Sequence, residues 1–321
     1  MTMKKLRLIY MGTPEFAVAG LKALIEADYN VVAVVTMPDK PSGRGHRIHY
    51  SAVKEYALER QLPLLQPERL KDEHFLEALR AFHADLQVVV AFRMLPEVVW
   101  AMPPLGTINL HASLLPHYRG AAPINWALIN GETVTGVTTF FLQQIIDTGN
   151  LILQQAVPIT PNDTFGSLHD KLMNVGVEIL LETIDRITTG VVQTLPQEEL
   201  TELKTAPKIT KETCRIFFNR PAEEVRNLVR GLSPYPAAWF ELTEDNKMPT
   251  GIKVFEVATE ITPHNLPFGT LITDGKRMLK VAVSDGFVHI ISLQLAGKKR
   301  MQADEFLRGY GTWIKQLAVS D

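Results

Sequence analysis

Gly106-Thr107-Ile108-Asn109-Leu110-His111-Ala112-Ser113-Leu114-Leu115-Pro116-His117-Tyr118-Arg119-Gly120 carries an apolar strand into polar residues and then leaves it through a run of loop formers. Asn109 and His111 are two residues apart. On a strand, their amide and imidazole therefore face one way while Ile108 and Leu110 face the other. If the strand covers residues 106–111, both polar side chains lie at its carboxyl end, where open α/β sheets bind their ligands. Taken alone, the same spacing also suits an asparagine that caps a turn and a histidine satisfied inside a core.

The chain on either side supports a parallel sheet. Residues 6–11 read as a buried strand. Gly12-Thr13-Pro14-Glu15 turns it into a helix over residues 16–27, with Thr13 at a capping position and Pro14 in the first turn. Residues 31–36 and 86–91 are β-branched apolar runs of the kind that fill a sheet covered on both faces. Residues 51–60 and 72–83 have helical periodicity, and residues 62–66 form a short strand between them. Strands and helices alternating in this way predict a Rossmann-like, doubly wound parallel sheet. The first turn lacks Gly-x-Gly-x-x-Gly, which argues against a nicotinamide dinucleotide.

Beyond the opening stretch, a helix is expected over 122–130 and a strand over 136–142, with Thr138 able to face the site. Asp163-Thr164 caps a long helix over 165–188 that Gly190 ends. Residues 191–211 hold two prolines and no period, so they read as a linker. A helix over 222–231 and short strands over 240–242, 252–258, 269–273, 278–283 and 288–295 then suggest a small antiparallel barrel. The expected division is 1–190, a linker 191–211, and 212–321.

Of the 321 residues, 46% are hydrophobic and 21% charged, which suits a soluble globular chain with real cores. One cysteine, Cys214, excludes an internal disulfide and a cysteine-built metal site, and fits a reducing, cytoplasmic setting. No run approaches a membrane span, and the apolar stretch near Met1 is broken by Arg7 and Gly12, too short for a signal peptide. The net charge of −2 conceals a lean: residues 1–200 carry −5 and residues 201–321 carry +3. The basic second half permits a phosphate-rich partner without requiring one.

The motif string Asn109 to Gly120, followed by Ala121-Ala122-Pro123-Ile124, Thr135-Gly136-Val137-Thr138 and Asp147-Thr148-Gly149, resembles the folate-dependent formyltransferases. The likeness extends from Gly12-Thr13-Pro14 to Ala296-Gly297-Lys298-Lys299-Arg300-Met301. It implies 10-formyltetrahydrofolate as formyl donor, no metal and no nicotinamide, and catalytic roles for Asn109, His111 and Asp147. Asn109 would donate to the oxyanion of a tetrahedral intermediate, and His111 and Asp147 would handle the proton, in an order the motifs leave open. Ser113-Leu114-Leu115-Pro116, with Phe92 and Leu95, would line the folate pocket. Arg93 stands where the family commonly has glycine. Asp147-Thr148-Gly149 is kept, but Gln143, Ile145 and Asn150 replace the acid, glycine and acid usual around it.

Resemblance also bears on the acceptor. The basic loop with Lys40, Arg44 and Arg47 around Gly43-Arg44-Gly45, and Lys298, Lys299 and Arg300 in a carboxyl-terminal part expected to be OB-like, point to initiator methionyl-tRNA as partner of a monomer. Two alternatives are a formyltransferase acting on a small amine, such as a ribonucleotide or an amino sugar nucleotide, and a non-catalytic nucleic-acid-binding protein. A small amine would call for neither the basic loop nor the extra domain, and retention of Asn109, His111 and Asp147 together speaks against a non-catalytic role.

Overall fold

The computed structural model describes residues 6–42, 47–243, 250–314 and 318–319. Contacts divide the chain into two compact units, one of residues 1–120, 134–158 and 169–205, the other of 121–133, 159–168 and 206–321.

In the first unit β1 (Arg7–Gly12), α1 (Glu15–Glu26) and β2 (Asn30–Val35) lead to a hairpin of β3 (Lys40–Ser42) and β4 (Arg47–His49). α2 (Ala52–Glu59), β5 (Leu64–Leu65), α3 (Glu73–Ala81), β6 (Leu86–Val90), the short α4 (Glu97–Trp100), β7 (Thr107–His111) and β8 (Arg119–Gly120) follow. α5 (Pro123–Ile129) belongs to the second unit, and β9 (Val134–Phe141), β10 (Leu151–Pro158) and most of α6 (Phe165–Thr188) return to the first. The sheet order is β10-β9-β7-β6-β1-β2-β5. From β5 to β7 every ladder is parallel, as the sequence predicts. β9 runs antiparallel to both of its neighbours.

β-Branched and aliphatic residues alternate across these strands and fill both faces. Ile9, Met11, Ala33, Val35 and Val89 form one buried face with Phe75, Leu76 and Leu79 of α3 and Val99 of α4. On the other face the Tyr10 hydroxyl donates to the Ala17 carbonyl at 2.6 Å, which ties β1 to α1. α6 can lie close because Gly176 has no side chain: a Cβ there would sit 3.0 Å from Leu110. Leu110 thus packs on the α6 side. Asn109 pairs with Val89 across the parallel ladder and shares its face.

One local expectation is corrected. Thr13 does not cap α1: the N-cap is Pro14, no side chain bonds the first turn, and the Thr13 hydroxyl is buried without a partner. The long helix behaves as read, since Thr164 Oγ1 accepts from Ser167 N at 3.3 Å and Ser167 Oγ accepts from Thr164 N at 3.0 Å, a reciprocal cap.

The second unit combines α5, the stretch after β11 (Thr205–Ala206), α7 (Ala222–Leu232), β12 (Ala238–Thr243), β13 (Thr250–Ile261), β14 (Leu271–Thr273), β15 (Leu279–Val283), β16 (Gly286–Leu295), β17 (Met301–Gln302), α8 (Ala303–Ile314) and β18 (Ala318–Val319). Its strands pair antiparallel in the order β14-β15-β16-β13-β12-β18, with β17 also on β16. Among the described residues the pairing makes an antiparallel sheet, and no ladder joins β14 to β18. Val225, Val229 and Leu232 of α7, Phe306 and Leu307 of α8, and Phe240, Val254 and Leu293 of the sheet share one core. Asn125 Nδ2 donates to the Gly231 carbonyl at 2.8 Å, joining α5 to α7.

Candidate active site

The sheet changes direction of winding between β1 and β6: from β1 the chain builds outward to β2 and β5, then crosses back to β6 and β7. In open α/β sheets such a switch point leaves a crevice at the carboxyl ends of the strands, and ligands bind there. Gly12-Thr13 leaves β1 at this end, Ala91-Phe92 leaves β6, and His111 closes β7 beside them.

Asn109 and His111 project from the same face of β7, as their spacing requires. His111 is buried and its Nε2 lies 2.8 Å from the Tyr118 carbonyl. A carbonyl can only accept, so Nε2 carries the hydrogen and Nδ1 is the nitrogen free to exchange a proton. Nδ1 lies 3.9 Å from Asp147 Oδ2, beyond a direct hydrogen bond. That carboxylate oxygen is held by the Gly120 amide at 3.0 Å. The Asn109 carboxamide is half-buried and makes no hydrogen bond within the described residues, leaving its N–H groups available. An amide donor, an imidazole with one exchangeable nitrogen and a buried carboxylate therefore meet at the carboxyl edge of the sheet.

Three non-glycine residues around this centre take left-handed backbone: Ala91 (φ 47°), Tyr118 (φ 60°) and Asp147 (φ 54°). Each such residue costs roughly 1–2 kcal/mol and persists where its surroundings hold it. Asp147 is held by Gln197, whose Nε2 donates to the Asp147 carbonyl at 2.8 Å and to the Gly149 carbonyl at 2.9 Å. Gln197 Oε1 in turn accepts from the Arg119 guanidinium. Gln197 lies in the segment read as a plain linker. Its partners stand 48 to 78 residues away in the chain, so no local pattern marks it. Gln143 also steadies this turn, donating to the Thr148 carbonyl at 2.7 Å.

Thr138 Oγ1, fully buried on β9, donates to the Ser113 carbonyl at 2.6 Å and accepts from Leu115 N at 3.3 Å and Gln154 Nε2 at 3.1 Å. It fixes the turn Ser113-Leu114-Leu115-Pro116 beside His111. Ser113 Oγ closes the same turn on the His117 carbonyl at 2.8 Å. Phe92 and Leu95 follow β6, and Leu95 is buried in the α3–α4 core. Arg93 is bound by the carbonyls of Pro67 and Glu68, and burial holds its guanidinium below the ordinary arginine value.

A formyl transferase model matches residues 4–184, and a model of the formyl transferase C-terminal domain matches residues 208–311. The chain belongs to the formyltransferase family. A methionyl-tRNA formyltransferase from Bacteroides thetaiotaomicron is 61% identical over 313 residues, covering 96% of this chain and 97% of that protein. One from Bacteroides fragilis is 60% identical over the same length and shares. Among solved structures, an N-formyltransferase from Helicobacter canadensis, in complex with folinic acid and dTDP-3-aminofucose, matches with a TM-score of 0.65 at 20% identity. It covers 92% of this chain and all of that one, and at this identity the likeness speaks for the fold.

In this formyltransferase the basic residues expected to meet the acceptor fall in two places. Lys40 and Arg47 lie on β3 and β4, whose ladder pairs Ser42 with Arg47; Arg44 lies outside the described residues. In the second unit, Lys298 and Lys299 are exposed at the turn from β16 to β17, where Gly297 has φ 75°. Arg300 is more constrained: its Nε donates to Ser292 Oγ at 2.7 Å and its guanidinium lies 4.6 Å from the Phe255 ring centre. Among the described residues no group of three His, Cys, Asp or Glu side chains is placed to hold a metal ion, and no helix is long and apolar enough to cross a membrane.

Proposed function

We propose that this formyltransferase moves the formyl group of 10-formyltetrahydrofolate to the amino group of methionine on initiator methionyl-tRNA, yielding N-formylmethionyl-tRNA for translation initiation. The observation that carries the reading is the meeting of Asn109, His111 and Asp147 at the carboxyl edge of the sheet, in a chain 60–61% identical to methionyl-tRNA formyltransferases over nearly their whole length.

The chemistry follows from the donors. Attack of the amine on the formyl carbon places negative charge on the formyl oxygen, and the unengaged Asn109 carboxamide donates to it. Removing one such donor costs roughly 3–4 kcal/mol of transition-state stabilisation. His111 Nδ1 takes the proton that the attacking nitrogen must lose, and Asp147 Oδ2 stabilises the resulting imidazolium from 3.9 Å. The tetrahedral intermediate then releases N10 of tetrahydrofolate, which regains a proton. No covalent enzyme intermediate is needed.

Ser113-Leu114-Leu115-Pro116, Phe92 and Leu95 are assigned to the folate, because they border the switch-point crevice next to Asn109. Lys40, Arg44, Arg47, Lys298, Lys299 and Arg300 are assigned to the tRNA backbone. In this reading residues 1–190 carry catalysis, 191–211 connect, and 212–321 form an OB-like tRNA-binding part whose antiparallel strands supply the surface. The protein works in the cytoplasm as a monomer. Incubating the purified protein with 10-formyltetrahydrofolate and either charged initiator tRNA, glycinamide ribonucleotide or an amino sugar nucleotide tests this. Formylmethionyl-tRNA is the expected product; formylation of a small amine alone would overturn the assignment.

A further inference from the structure

Two contacts that the catalytic centre does not use converge on one short segment. Gln66-Pro67-Glu68 follows β5 and lies between two loops assigned to different substrates. At one end, Gln66 Nε2 donates to the Met37 carbonyl at 2.9 Å and to Asp39 Oδ1 at 3.0 Å. Asp39 Oδ2 simultaneously receives the buried Lys54 ammonium, and Thr36 Oγ1 lies 2.8 Å from Ser51 Oγ. These four contacts clamp the base of the excursion that carries β3 and β4. At the other end, Arg93 Nη1 donates to the Glu68 carbonyl at 2.9 Å and Nη2 to the Pro67 carbonyl. Its guanidinium carbon lies 5.6 Å from the Phe92 ring centre, while Nε is buried without a partner.

This arrangement is specific to the side chains present. A guanidinium presents several N–H groups in a rigid fork and can grip two successive carbonyls while lying over an aromatic ring; an ammonium cannot. Leaving Nε buried and unpaired costs free energy, so the two carbonyl bonds and the ring contact must hold the side chain in place. The backbone bearing Phe92 and Leu95 is thereby fixed to the backbone that also fixes Asp39.

We propose that Gln66-Pro67-Glu68 is a brace between the folate-pocket loop and the base of the acceptor loop, with Arg93 and Gln66 as positioning residues that make the two substrates bind synergistically. The proposal rests on the substrate assignments above. A ligand that holds one loop in its bound position biases the other through the brace, and such coupling is reciprocal.

The test is fluorescence titration of 5-formyltetrahydrofolate, a non-transferring analogue, with and without saturating methionyl-tRNA, on wild type, Arg93→Met, Arg93→Lys and Gln66→Leu. Melting curves serve as folding control. In wild type the tRNA should tighten the analogue roughly fivefold or more. Arg93→Met should weaken the analogue alone by roughly tenfold, the worth of a charge-assisted hydrogen bond. Gln66→Leu should leave that binary affinity within about twofold, because Gln66 touches only the acceptor side. Both variants should lose the tightening by tRNA, and Arg93→Lys should behave as Arg93→Met.

Tightening that survives in folded Arg93→Met and Gln66→Leu, full rescue by lysine, or no tightening in a wild type that does formylate tRNA would each overturn the brace. A wild type that binds the analogue but formylates no tRNA would instead overturn the function on which it rests.

Discussion

Replacing Thr138 by valine keeps the shape of a fully buried side chain and removes one oxygen that serves three partners. Gln154 is exposed and also reaches the Leu115 carbonyl at 2.8 Å, so water and that bond compensate its loss. The Ser113 carbonyl and the Leu115 amide belong to buried residues and would be left unpaired. At about 1–3 kcal/mol for each unsatisfied buried group, Thr138→Val should destabilise the first unit by roughly 3 kcal/mol. For a unit of this size that is a fall of roughly 6–12 °C in melting temperature. Thr138→Ser keeps the hydroxyl and loses one methyl, so its cost should be about 1 kcal/mol. Because the bonds lost are those that shape residues 113–116, the KM for 10-formyltetrahydrofolate should also rise severalfold in the valine variant. Differential scanning calorimetry and steady-state kinetics on both variants would decide the matter. If Thr138→Val melts within about 2 °C of wild type, or Thr138→Ser melts as low as Thr138→Val, this hydroxyl does not organise the turn.

Three further outcomes follow from particular contacts. A Cβ on Gly149 would lie 1.6 Å from the Phe141 carbonyl oxygen, so Gly149→Ala must displace the turn that seats Asp147; turnover should fall at least roughly a hundredfold, with lowered thermal stability. Neutralising exposed Lys298 and Lys299 together should weaken tRNA binding at every tRNA sequence alike and flatten its salt dependence, measured by filter binding at several salt concentrations. Asp274 Oδ1 accepts from the amides of Lys276, Arg277 and Met278, and these bonds lower its pKa from 3.8 to about 2. The folded value lies below the ordinary one, so the stabilisation is present above about pH 4 and is lost as pH falls toward 2. Protection of the Arg277 amide against hydrogen exchange, relative to the unstructured rate at each pH, should fall across that window in wild type and be low throughout in Asp274→Ala.

Where a feature depends on neighbours in the chain, the sequence exposed it. The long helix carries its own cap and its own glycine stop, and it occupies the expected residues 165–188. The parallel core is legible because buried strands must be continuously apolar, and Asn109 and His111 share a face because strand geometry leaves no alternative. Where a feature depends on distant partners, local patterns were silent. Gln197 steadies Asp147 from fifty residues away, and Arg93 grips carbonyls at Pro67 and Glu68. Thr13 reads as a cap by type, yet Pro14 takes that place and buries the threonine hydroxyl unpaired. Strand spacing in the second unit indicates antiparallel pairing but cannot say whether the outer strands meet, because closure is set by register between segments far apart. The terminal helix α8 is absent from the expectations above, although Ala303, Phe306, Leu307, Tyr310 and Ile314 recur with helical period and pack into that core.

The central claim is that the polar end of β7 performs the formyl transfer, and turnover in Asn109→Ala tests it most directly. The carboxamide is half-buried and has no partner within the described residues, so its removal should leave the fold intact. With substrates saturating and circular dichroism unchanged, kcat for methionyl-tRNA formylation should fall by roughly two to three orders of magnitude while both KM values move little. Turnover within a few-fold of wild type would contradict the account.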